Sequence, residues 1–151
     1  MIDFWATWCE WCLKGMPDVE GVRKKYGDND KVRFLALSED EDEVTNKQIE
    51  ELLKNIKVEV PWARLRGQTG DELRAKFEMS GIPALIVLGT DGKVQYQHIG
   101  YDPSLEGKLV EVIDALLAGQ DLAGKAVAAR EVEQREYQKR IEAAKVDPSP
   151  K

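Results

Sequence analysis

Cys9 and Cys12, the only cysteines in the chain, stand three positions apart just after the apolar run Met1-Ile2-Asp3-Phe4-Trp5-Ala6. A strand that runs into a helix carrying Cys-x-x-Cys places the first sulfur at the helix N-terminus. The unpaired amides and the positive end of the macrodipole there favour a thiolate. The thiolate is the reactive form, and in such a setting its pKa can fall well below the free value of about 8.5. The second thiol lies one turn away, within reach of a disulfide. Thiol–disulfide exchange is the simplest chemistry for such a pair. The alternative is a zinc ligand pair, but zinc usually takes four ligands. Beyond its two cysteines the chain has one distant histidine, His98.

The flanking residues sharpen this reading. Asp3-Phe4-Trp5-Ala6-Thr7-Trp8-Cys9-Glu10-Trp11-Cys12 resembles the active-site segment of the thioredoxin superfamily. Pro17 fits the proline within that family's first active-site helix, and Gly81-Ile82-Pro83 fits its cis-proline loop facing the cysteines. Gly89-Thr90-Asp91-Gly92-Lys93 fits its late hairpin turn. With a helix-and-strand insert at about 43–65, the chain looks most like the TlpA/ResA-like thiol-disulfide oxidoreductases. The resemblance covers roughly residues 1–118. It implies a thioredoxin-like three-layer α/β/α sandwich with a central mixed sheet, followed by a charged helical tail over 119–151.

The chain's 151 residues suffice for one domain with a real core. Apolar residues are 42% and charged residues 33% of the chain, with a net charge of −6. Residues 1–118 carry 15 basic and 22 acidic side chains, and 119–151 carry 7 and 6. Neither part has the clustered basic face of a nucleic-acid binder. No apolar stretch approaches a membrane span. One Cys-x-x-Cys pair is not a disulfide-stapled scaffold. The chain opens inside what reads as a central strand, whereas TlpA-type relatives usually carry extra structure before it. A fragment of a longer precursor is the favoured expectation, a shortened fold the other. If the chain is whole, the first strand is expected to lack a neighbour and leave an edge unpaired.

Residues 1–6 read as a buried strand and about 9–26 as a helix, with Val19, Val22 and Tyr26 at helical spacing. Val32 to Leu37 reads as a second strand. Glu39-Asp40-Glu41-Asp42-Glu43 reads as a solvated helix start, where acids suit the dipole. A metal site is the sharper alternative, though no regular calcium-loop pattern accompanies the run. That helix is expected to run to about Lys57 on a stripe of Ile49, Leu52, Leu53 and Ile56. A short strand follows at 60–65 and a helix at 71–79. Ala84–Leu88 and Val94–Ile99 form a hairpin across Asp91-Gly92, and a last helix uses Leu105, Leu109, Val112, Ile113, Leu116 and Leu117. Residues 119–146 read as an exposed or partly docked helix with pairs Glu131/Arg135 and Glu136/Arg140 at i,i+4. A partner-binding helix is the other reading of this stretch. Residues 147–151 read as a disordered end.

Cys9, at the helix start, is the expected nucleophile, and Cys12 the thiol that resolves the mixed disulfide. Asp3 is the odd residue in its strand. A carboxylate buried in an apolar run is costly, so its pKa should rise toward working pH. That suits it to accept the proton of Cys12; the alternative is an edge residue pointing to solvent. Its position also matches the buried acid of thioredoxin itself. The resemblance makes Pro83 a cis-proline and gives the backbone of Ile82 the role of pairing with a substrate strand. Trp8 resembles the tryptophan that covers the site. Trp11 departs from the proline or histidine common at its position, and can contact substrate. Glu10 departs from the common glycine or proline; its charge disfavours a Cys9 thiolate, which makes it a candidate for tuning the redox couple. His98 reads as a hairpin residue without a catalytic part.

The expected function is a protein-disulfide reductase that acts on protein disulfides or apocytochrome cysteines. It would use no cofactor or metal beyond the redox-active Cys9–Cys12 disulfide. Its partners would be protein thiol or disulfide substrates and an upstream electron donor. The alternative is a non-catalytic thioredoxin-fold binding module docking through its tail. Family resemblance places the chain in an extracytoplasmic compartment such as the periplasm or cell envelope, with the cytoplasm as alternative.

Overall fold

The central strand of the sheet is the one that delivers the cysteines. In the computed structural model, which describes residues 1–128 together with Glu131 and Arg135, β1 (Ile2–Trp5) lies in the middle of five strands. It pairs in parallel with β2 (Leu35–Ser38) and antiparallel with β4 (Ala84–Leu88). β3 (Trp62–Arg64) extends the sheet beyond β2, and β5 (Val94–Ile99) beyond β4, giving the order β3-β2-β1-β4-β5. The expectation of an unpaired edge on the first strand is thus corrected. Phe4 and Trp5 are fully buried. A run so apolar suits a strand covered on both faces, and the insert strand β3 takes the outer position beside β2.

Strand alternation divides the core between the two faces. On one face α1 (Glu10–Lys25), α2 (Asn46–Asn55) and α4 (Leu105–Leu117) pack over Trp5, Ala36, Leu85 and Val87. On the other, α3 (Gln68–Lys76) and the segment after it place Phe77 against Phe4, Ala84 and Ile86. The result is a three-layer α/β/α sandwich around a mixed sheet. α1 carries Val19, Val22 and Tyr26 inward at helical spacing, and the Tyr26 hydroxyl donates to Asp114 Oδ1 of α4 at 2.6 Å. Leu109 of α4 is fully buried among them. Truncating such a leucine to alanine typically costs about 2–5 kcal/mol.

Element bounds shift where side chains take over from periodicity. β2 starts at Leu35 rather than Val32, because residues 29–33 form a turn in which Val32 N–H donates to the Asn29 carbonyl and the Arg33 guanidinium caps the carbonyls of Asn29 and Val32. The acidic run is not a solvated helix start. α2 begins only at Asn46, after a capping box in which the Thr45 hydroxyl accepts from Gln48 N–H and the Gln48 side chain accepts from Thr45 N–H. Such a cap satisfies two of the orphan donors at the helix start. The acids before it lie in a loop. Glu39 pairs with Arg74, Asp42 with Arg66, and Asp40 is buried. The β4–β5 hairpin has the expected bounds. Asp91 Oδ1 accepts from Lys93 N–H, and Gly92 takes φ +76°, a conformation that favours glycine.

Beyond α4, Leu122 N–H donates to Gln95 Oε1 on β5 at 2.6 Å, and residues 123–128 are helical. Arg135 reaches the backbone carbonyl of Glu131 with Nε, at 3.1 Å, instead of its carboxylate. The Glu136/Arg140 pair and the end at 147–151 lie outside the described residues. No helix among the described residues is long and apolar enough to cross a membrane.

Candidate active site

The turn from β1 into α1 holds the two sulfurs. Cys9 is the N-cap of α1, with extended backbone at φ −89° and ψ 95°, and its Sγ accepts the Cys12 N–H at 3.2 Å. The sulfur thus sits where the helix offers an unpaired amide, the setting that stabilises a thiolate once the pair is reduced. Here the two are bonded, S–S 2.08 Å, Cα–Cα 5.2 Å. Cys9 is 7% exposed and Cys12 2%, so the first sulfur is the one nearer to solvent. Trp5, Met16 and Ile49 pack around them.

The approach to Cys9 is pinned from β2. Asp40, 2% exposed, accepts the Thr7 N–H with both carboxylate oxygens and the Thr7 hydroxyl at 2.6 Å; Ser38 Oγ donates to it at 2.7 Å. A buried carboxylate needs such donors to be tolerated. Neither Thr7 nor Asp40 stands out in the sequence, because a run of acids looks like a solvated surface.

Beneath the disulfide lies Asp3. Its carboxyl is pushed up to about 7 by burial, the sole cause of the shift. Asp3 and Cys12 line one small cavity with Pro83, Tyr101 and His98. The Ile82–Pro83 peptide is cis, and Ile82 is half-buried against Cys9's cluster and the opposite-face core. His98, read from the sequence as a plain hairpin residue, lines the same cavity as Asp3.

The aromatic residues face outward. Trp8 is 66% exposed and Trp11 54%. Trp11 stacks on Tyr101, ring centroids 5.5 Å apart and 29° between planes, with Lys14 Nζ 5.0 Å from the Trp11 ring and 4.8 Å from that of Tyr101. Stacked rings and a cation over their faces attract one another. Tyr101 does not stand out in the sequence, since 90 residues separate it from Trp11. Glu10 is the first residue of α1 and is exposed. Among the described residues, no cluster of three or more His, Cys, Asp or Glu side chains is placed to hold a metal.

Comparison with known proteins agrees with this geometry. A thioredoxin-like family model matches residues 1–94. The thioredoxin-like protein YneN of Bacillus subtilis is 28% identical over 66% of this chain and 55% of its own length. The thiol-disulfide oxidoreductase ResA of Bacillus cereus is 29% identical over 74% of this chain and 61% of its own length. The chain therefore spans somewhat over half the length of these relatives. The solution structure of a thioredoxin-like protein from Porphyromonas gingivalis superposes with a TM-score of 0.59 at 26% identity, covering 79% of this chain and 76% of that one. The cysteine pair at the mouth of α1, the cis-proline beside it and the acid below it thus lie in a chain that belongs to the thioredoxin-like family.

Proposed function

We propose that this chain is a thiol–disulfide oxidoreductase that reduces disulfides in protein substrates, with apocytochrome cysteines as one such class. The observation that supports this most is the Cys9–Cys12 pair itself: a disulfide capping a helix, one sulfur nearer to solvent, the other over a buried acid. The name of ResA, a thiol-disulfide oxidoreductase, supports the same reading. In the reduced protein, the Cys9 thiolate attacks a substrate disulfide. A Cys9–substrate bond forms and one substrate sulfur leaves as thiolate. The Asp3 carboxylate then takes the Cys12 proton. Cys12 attacks Cys9 Sγ, the internal disulfide forms, and the second substrate sulfur leaves as thiolate. Substrate has gained two electrons, and an upstream dithiol must reduce the pair again.

In this reading Trp8, Trp11 and the backbone at Ile82–Pro83 receive the substrate segment, and Glu10 tunes the couple by its charge. The cysteine pair works without a further cofactor. The resemblance to TlpA/ResA-like proteins supports an extracytoplasmic compartment. The test is reduction of insulin disulfides with dithiothreitol as donor. The parent is expected to accelerate precipitation and Cys9→Ser to leave it at the uncatalysed rate; equal rates would leave only a binding module.

A further inference from the structure

The sheet register brings His98 to the inner side of the active site. Asp3 pairs with Leu85 and Leu85 with His98, so the three side chains stand in one row on the face covered by α1 and α4. Two strand spacings, about 10 Å, separate the backbones of Asp3 and His98. Both residues line a cavity of about 20 Å³, which Cys12 also lines. That is room for about one water, and a water needs polar partners. Two lining residues can supply them: Asp3 with its buried carboxyl, and His98, whose Nε2 is buried without a hydrogen-bond partner among the described residues. His98 as a whole is only half-buried, so part of the residue meets solvent.

We propose that His98 is the outer station of a proton path serving Cys12: the proton that Asp3 takes from Cys12 crosses this cavity through one water to His98 Nε2 and leaves from the imidazole to solvent. The proposal rests on the oxidoreductase reading and deepens it. Asp3 is 5% exposed, so the proton it takes from Cys12 reaches solvent only through neighbouring groups, and drawing it off pulls the proton-transfer equilibrium toward the Cys12 thiolate that attacks Cys9. A neutral imidazole accepts at one nitrogen and releases from the other, which suits it to pass a proton without a net change. No bond other than those to the moving proton is made or broken. His98 touches no reacting sulfur in this scheme and acts only through Asp3.

The surroundings leave few other groups for this path. Leu85 from β4, Val19 from α1 and Leu105 from α4 are the apolar walls. Tyr101 is the other residue on the cavity with a titratable side chain, and its ring is held by Trp11 and Lys14. Tyr96, two residues before His98 on the same strand, lies within the electrostatic reach of Lys108 and Asp102.

The experiment follows the full-length reduced protein reacting with a disulfide-bonded peptide by stopped flow, separating the attack of Cys9 from resolution by Cys12. His98→Gln and His98→Ala are compared with the parent from pH 6 to 9, with urea unfolding of each to confirm its fold. Resolution is expected to slow about tenfold or more in both variants, general acid–base steps being worth at least that, with attack unchanged. Added imidazole is expected to restore resolution in His98→Ala, an effect that a purely structural part for His98 would not produce. Resolution at the parent rate in the folded variants would overturn the proposal, as would slowing that imidazole leaves untouched across the pH range. A parent that shows no attack phase at all would instead overturn the oxidoreductase reading.

Discussion

Both carboxylate oxygens of Asp40 accept the same backbone N–H, that of Thr7, at 3.0 and 3.1 Å across 33 positions of sequence. Thr7 lies two residues before Cys9, so the end of β2 holds the loop that presents the nucleophile. Asp40→Ala leaves the Thr7 amide and the Ser38 hydroxyl without their acceptor in a buried setting. Losing hydrogen bonds to a charged partner there is expected to cost about 2–4 kcal/mol. Urea unfolding at unchanged m-value measures that cost. Insulin reduction by the remaining folded protein is expected to fall as well, because the loop before Cys9 loses its anchor. A midpoint equal to the parent's would show that the loop holds itself.

Asp3 gives a pH dependence of stability with a definite sign. Burial pushes its carboxyl from 3.8 to about 7. Between about pH 4 and 7 the folded protein therefore holds a proton that the unfolded chain has released, and stability falls as pH rises through that window. Above about 7 the penalty is complete, on the order of 4 kcal/mol, and the dependence from this group is flat. Asp3→Asn removes the penalty. Urea midpoints of the oxidised protein are expected to show the variant gaining on the parent from pH 4 to pH 8. A gap of the same size at both ends would mean that Asp3 does not titrate in this window. The same variant is expected to slow resolution of the mixed disulfide more than the initial attack, because Cys12 alone depends on the base.

The residues legible in the sequence are those whose local setting betrays them. Asp3 is visible as a carboxylate within an apolar run, and the β4–β5 hairpin as two apolar runs across Asp91-Gly92. The cysteines announce both their element boundary and their chemistry. Asp40 was hidden because nothing local separates it from Glu39 and Glu41; only its contact with Thr7 marks it. His98 was hidden more deeply, because its relation to Asp3 passes through two strand pairings and the residue between them, Leu85. The central place of β1 is legible in its apolar run, but which strands flank it is not. Which strand lies beside which is decided by long-range pairing, and the short strand β3, whose residues are only partly buried or exposed, gives little local sign that it extends the sheet.

Trp11 is a test of how the exposed aromatic surface serves the site. Its ring rests on Tyr101 and under Lys14, yet more than half of the residue is open to solvent. The stack is therefore expected to add little to folding, about 0.5–1.5 kcal/mol, and more to the reception of substrate next to Cys9. Trp11→Ala is expected to raise KM for a disulfide-bonded peptide several-fold while kcat stays within about twofold, the pattern for a contact made equally in ground and transition states. Trp11→Phe keeps an aromatic face over Tyr101 and is expected to recover most of the loss. A fall in kcat at unchanged KM would place Trp11 in the positioning of the sulfurs instead, through its seat between Glu10 and Cys12 in the first turn of α1.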